Sequence, residues 1–278
     1  TEQLRLYPCT QHYTQFSADN GKGRTLNLLL VTQPFFLPDS LENFHLNFDS
    51  EKEYREPVQA MYFSSTADSL IDEKDFYLQE GYDVFSRSTT NFNDPTLENG
   101  SLITPSFLKQ PQLEQAFTVI HEICHDNVAH TIGDFPSELN ESYCVLVGRA
   151  GAADYYRSRN GENSSEYQKA IKALDKTVDR SEHINSYYFT LQELYKSDKP
   201  SADKMEQRDR IFAEAGRFMI GQVNNAALLD AYPYVKYLPL FSQLYESKDK
   251  ELLLMLEGMK NCPGNEESAI EYIKILME

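Results

Sequence analysis

His121-Glu122-Ile123-Cys124-His125 is the segment of this chain whose residue types and spacing most directly imply chemistry. On a helix turning about 100° per residue, His121 and His125 project about 40° apart on one face, one turn from each other. Two neutral imidazoles so placed can bind a single zinc ion. Glu122 stands beside them, set to hydrogen-bond a metal-bound water rather than the metal, which is the position of a general base. The largely apolar run Phe117 to Ile120 just before the motif anchors it on a packed helix.

A hydrolytic zinc needs a third protein ligand and one open position. A metzincin would place Gly and His at fixed distances after the motif, but Val128 and Thr131 stand there. His130 is rotated about 140° from His125 and points elsewhere. Asp134, Glu138 and Glu141 are the carboxylate candidates. Glu141 is preferred, because a second helix returning antiparallel past the first would present it to the metal from its early turns. Ordinary helix-surface histidines are the bland alternative for His121 and His125.

These residues need a scaffold, and the chain is long enough for one. It has 278 residues, with 41% hydrophobic and 25% charged side chains, which is globular rather than disordered composition. A net charge of −17 disfavours nucleic acid and anionic membrane as partners. No apolar run reaches the length of a transmembrane span. The four cysteines, Cys9, Cys124, Cys144 and Cys262, lack CxxC spacing, which reads against a cysteine zinc ribbon and leaves either buried thiols or disulfides open. Thr1 is not an initiator residue, which leaves room for a removed secretion signal, and an extracytoplasmic location is the expectation.

The chain reads as one domain with two parts, 1–110 mixed and 111–278 helical. Strands are expected over Thr25–Thr32, Gln59–Ser64 and Asp83–Thr90, with a helix over Ala67–Glu80 stopped by Gly81. Asn91–Pro111 reads as a long loop. Helices are expected from Pro111 to about His130 and from Ser137 to about Arg159, the second stopped by Asn160-Gly161. A third runs from Ser164 to Tyr195, with room for an interruption near Ser181. Others are expected over Ser201–Ile220, Asn224–Tyr245, Lys248–Met259 and Glu266–Met277. Asn224-Asn225 suits a helix cap or a ligand-orienting amide. His183, Tyr187 and Tyr188 read as core or surface residues. No internal repeat is evident.

His121-Glu122-x-x-His125 followed by Asn140-Glu141 resembles the gluzincin pattern. A longer set of motifs resembles the bacterial family known as predicted aminopeptidases: Gly81-Tyr82-Asp83-Val84, Ser88-Thr89 to Asp94-Pro95, Phe135 to Ser142, Val147-Gly148-Arg149 to Gly151-Ala152, Asn224-Asn225-Ala226, and Tyr234 with Pro239 and Phe241. The likeness spans roughly residues 25–245. Cys124 and Cys144 stand where the family has small residues, commonly Ala.

The resemblance implies a zincin-like α+β fold: a small mixed sheet, the active-site helix, then a helical lobe, with the cleft between. It implies Zn2+ held by His121, His125 and Glu141, with Glu122 as general base and Tyr234 as a donor to the oxyanion, acting on peptides. Ala60-Met61-Tyr62-Phe63 only faintly matches the strand with which zinc aminopeptidases grip a free amine. An endo- or oligopeptidase therefore stays open beside the aminopeptidase, as does a zinc-containing binding protein without turnover. Cys124 and Cys144 are expected to flank the contact between the two ligand-bearing helices, as thiols or as a cross-link.

Overall fold

A computed structural model describes residues 26–39, 45–48, 60–64, 70–89, 103 and 105–278. Its element order is β1 (Leu26–Thr32), β2 (His45–Phe48), β3 (Ala60–Ser64), α1 (Ile71–Gln79), β4 (Asp83–Thr89), α2 (Pro105–Leu108), α3 (Gln112–Thr131), α4 (Ser137–Asn160), α5 (Ser165–Lys196), α6 (Ser201–Ala215), α7 (Asn225–Val235), α8 (Leu238–Ser247), α9 (Leu252–Met259) and α10 (Glu266–Met277). The class is α+β, as expected. The described residues divide into two compact units: those within 24–90 and 182–232, and those within 91–181 and 233–278.

The unit of residues 24–90 and 182–232 holds a four-stranded mixed sheet of order β2-β3-β1-β4. β1 pairs antiparallel with β3 and with β4, and β2 runs parallel to β3. The aliphatic run Leu28–Val31 explains the central place of β1, since alternate residues are buried on both faces. Leu29 and Val31 pack with Tyr77 and Val84, while Leu28 and Leu30 pack with Ala226. β2 carries no periodic signal long enough to be read from sequence.

Asn224 caps α7: its Oδ1 accepts the Ala227 N–H at 2.9 Å, and its amide donates to the Val84 carbonyl at 2.9 Å. Asn225 donates to the carbonyls of Gln33 and Pro34. Both amides are thus committed within this unit. His183 stacks on Phe218 with ring centroids 3.9 Å apart, and Tyr188 stacks on Tyr232 at 3.7 Å, which makes all four packing residues.

In the other unit α4 is the central helix. Every residue from Ser142 to Gly148 is buried, so α4 is covered all round rather than on one stripe. α3, α8 and α9 pack on it, and their buried side chains form one core with α10. Gly161 ends α4 at φ +85°, a left-handed conformation that costs glycine little.

Several boundaries differ from the sequence reading. Pro111 stands before α3 rather than in its first turn. α5 runs unbroken through Ser181, whose hydroxyl turns back to the Val178 carbonyl at 2.6 Å. α6 ends at Ala215, where Gly216 begins the stop. The expected helix Asn224–Tyr245 is two helices, because Pro239 has no N–H to return to the Val235 carbonyl. α9 begins at Leu252, since Asp249 and Lys250 take positive φ. Pro105–Leu108 form a short helix within the span read as loop; most of that span lies outside the described residues.

Candidate metal centre

α3 and α4 are joined by a short connection, and their side-chain pairings run in opposite order. Glu114 meets Arg149 near one end, and His125 meets Asn140 near the other. That is the antiparallel arrangement expected from the spacing of His125 and Glu141. On α4 the residues Glu141, Cys144 and Gly148 lie within about 60° of one another and face α3. A Cβ on Gly148 would lie 2.9 Å from Phe117 Cδ2 and 3.2 Å from His121 Cβ, so this approach requires glycine.

The result is a convergence of three donors. His121 Nε2 and His125 Nε2 are 3.1 Å apart, and Glu141 Oε2 lies 3.4 Å from the first and 3.5 Å from the second. The circle through these three atoms has a radius of about 1.9 Å, just below the 2.0–2.2 Å of zinc–nitrogen and zinc–oxygen bonds. Glu141 Oε2 is buried, and its contacts are long for hydrogen bonds. These residues therefore fit a metal ion. Among the described residues they are the group of His, Cys, Asp and Glu close enough to hold one.

The two histidines are oriented differently. His125 Nδ1 lies 3.0 Å from Asn140 Oδ1. The amide oxygen can only accept, so Nδ1 carries the proton and Nε2 keeps a lone pair for a metal. His121 Nδ1 is buried and has no hydrogen-bond partner among the described residues.

Burial opposes charge on His125, but the Glu141 carboxylate outweighs it and raises the imidazole to about 9. Burial likewise pushes Glu141 up, and its contacts with the His121 and His125 imidazoles outweigh that, holding it at about 2. The pocket favours a positive charge, which a proton or a metal ion can supply.

The other sequence candidates fall as follows. Glu122 is 9% exposed, and its charge contributes to raising His125. Asp134 is exposed and Glu138 is buried, and neither belongs to the donor group. His130 is exposed, with Nδ1 2.7 Å from the Asp126 carbonyl.

Tyr234 lies on α7, partly buried against the core that contains Cys124 and Cys144. Its neighbour Pro233 is tied to the residue after Glu141. The Ser142 hydroxyl donates to the Pro233 carbonyl at 2.9 Å and accepts the Tyr237 N–H at 3.1 Å. One hydroxyl thus bridges the i and i+4 groups that a continuous helix would have joined directly.

Cys124, Cys144 and Cys262 are buried free thiols. Cys124 and Cys144 are hydrogen-bonded neighbours, which realises the expected close approach without a cross-link. Burial pushes the Cys144 thiol well up, away from the reactive thiolate. Its Sγ also donates to Asn140 Oδ1 at 3.4 Å.

Sequence reasoning did not assign roles to Asn140, Ser142, Phe117 or Arg149. Asn140 was detectable as a hydrogen-bonding residue adjoining Glu141. Glu114, Phe117 and His121 share a helical stripe. The groups that complete these contacts lie on α4 and could be found only from the pairing of the helices.

A family model described as "Putative aminopeptidase" matches residues 72–269. No curated protein and no solved structure matches the chain.

Proposed function

This chain belongs to the "Putative aminopeptidase" family, and from that premise we propose that it is a zinc-dependent peptide hydrolase with a zincin-like active site, acting as an aminopeptidase. The observation that carries this reading is the convergence of His121 Nε2, His125 Nε2 and Glu141 Oε2 within 3.5 Å of one another. His121, His125 and Glu141 hold the ion. When bound, zinc supplies Lewis acidity that polarises a carbonyl and acidifies water at the site.

The remaining chemistry belongs to the chain. The Glu122 carboxylate accepts a proton from the attacking water as the new C–O bond forms. It delivers that proton to the amide nitrogen as the C–N bond breaks, leaving a carboxylic acid and an amine. The buried position of Glu122 on the ligand helix supports this role. Asn140 holds His125 in the tautomer that offers Nε2. Tyr234 donates its phenolic proton to the developing oxyanion. Its attachment to α4 through Pro233 and Ser142 supports that assignment.

Metal analysis combined with hydrolysis of matched free and N-blocked peptides tests the proposal. Stoichiometric zinc with turnover of free peptides alone is the expected result. Turnover that survives N-blocking changes the mode to endopeptidase. Full zinc occupancy without turnover of any peptide makes the chain a binding protein.

A further inference from the structure

We infer that Phe117 is the positioning residue of His121, fixing by packing an imidazole whose Nδ1 has no hydrogen-bond partner among the described residues. The inference rests on the metal centre proposed above, and it begins from the asymmetry between the two histidines. Asn140 steers His125 through Nδ1, whereas the buried His121 Nδ1 has no partner among the described residues. If Nε2 of His121 is to offer a lone pair, its proton sits on that dry Nδ1. No bond on the Nδ1 side then resists rotation of the ring, and van der Waals contact must do so there.

Phe117 lies one turn before His121 on α3. The ring centroids are 5.6 Å apart with a tilt of 44°. Phe117 is itself held. The Arg149 guanidinium carbon lies 3.8 Å from its ring centroid, a close cation–π contact. Two parallel bonds to Glu114, of 2.9 and 3.0 Å, fix that guanidinium in turn. Such bidentate geometry constrains orientation in a way a single charge contact does not.

Beneath these groups is Gly148, whose missing Cβ would come within 2.9 and 3.0 Å of Phe117 Cδ2 and Cε2 and 3.2 Å of His121 Cβ. Backbone of α4 therefore bounds the ring and the base of the imidazole together. Glu114, Phe117 and His121 on α3, with Gly148 and Arg149 on α4, form one continuous clamp that ends at a metal donor.

The test compares zinc affinity, by competition with a chromophoric chelator, in wild type, Phe117→Leu, Phe117→Tyr and the core control Leu146→Ala. Leu146 is fully buried, on the side of α4 away from α3. Phe117→Leu should weaken zinc by about 10–100-fold, the usual effect of removing a group that orients a ligand. Phe117→Tyr keeps the plate and should stay within about threefold of wild type, which sets the ring's face apart from mere volume. Leu146→Ala should lower the thermal midpoint while leaving zinc affinity unchanged.

Wild-type affinity in Phe117→Leu overturns the inference, and so does an equal loss in Leu146→Ala. Should Phe117→Leu fail to fold, Arg149→Met releases the plate while keeping the ring. It should weaken zinc by about tenfold, and no change overturns the clamp.

A wild type that binds no zinc refutes the metal centre instead. The clamp is then read from nuclear Overhauser contacts of the metal-free His121 ring. That ring should keep one orientation in wild type and average between orientations in Phe117→Leu. Identical His121 signals in the two proteins overturn it.

Discussion

His125 and Glu141 shift each other in opposite directions, and these two shifts are one interaction seen from each side. Raised from 6.5 to about 9, His125 stabilises the metal-free fold fully below pH 6.5 and loses that contribution as pH rises through 9. Glu141, lowered from 4.5 to about 2, contributes above pH 4.5 and loses its contribution as pH falls towards 2. Thermal midpoints of chelator-treated protein should therefore decline between pH 6.5 and 9. Saturating zinc should abolish that decline, because the ion takes the place of the proton. Zinc binding near pH 7.5 should correspondingly release about one proton, read by calorimetry in buffers of different ionisation enthalpy. At the same scale, Glu122→Gln removes a proton acceptor and no donor of the group. It should keep zinc and lower kcat by about 10²–10⁴-fold, and an equally active variant rejects the mechanism.

Between elements, the contacts of α4 with its neighbours decide whether the donors meet. Gly148→Ala would force a Cβ into Phe117 and His121, so it should cost about 1–3 kcal/mol of stability and weaken zinc as well. Urea unfolding with and without metal measures both effects. Ser142→Ala probes the other side of α4. It leaves the Pro233 carbonyl and the Tyr237 N–H without the hydroxyl that joins them, at a cost of about 1–3 kcal/mol. If Tyr234 acts on the oxyanion, Ser142→Ala should also reduce kcat while zinc affinity holds. Unchanged turnover in both Ser142→Ala and Tyr234→Phe removes Tyr234 from the mechanism.

Across the whole molecule, the three donors all sit on α3 and α4, within the unit of residues 91–181 and 233–278. Metal binding stabilises the folded state by mass action, about 2.7 kcal/mol at a free ion concentration 100 times Kd. Chelation should therefore lower the thermal midpoint and speed amide exchange in α3 and α4. The strand pair β1–β4 belongs to the other unit and should exchange at an unchanged rate. Uniform acceleration through both units would mean that the metal stabilises the whole fold rather than its own helix pair. The net charge of −17 bears on solubility and on which partners the surface repels.

Sequence alone determined what is local. Helical periodicity placed His121 and His125 on one face, and the stop at Asn160-Gly161 fixed the end of α4. The aliphatic run of β1 marked a strand, because its neighbours in sequence already specify it, and the structure buries that strand on both faces. The helix Glu266–Met277 was legible to the residue, since Asn265 caps it through the Ser268 N–H. Tertiary structure decided everything that depends on which surfaces meet. Choosing among Asp134, Glu138 and Glu141 by geometry required the register of α4 against α3, a relation between residues far apart in the chain. So did the pairing of His125 with Asn140, the insertion of the Ser142 hydroxyl between α7 and α8, and the buried contact of Cys124 with Cys144. Backbone propensity carries no information about such contacts; they follow from close packing, where the absence of one Cβ at Gly148 sets how near two helices can come.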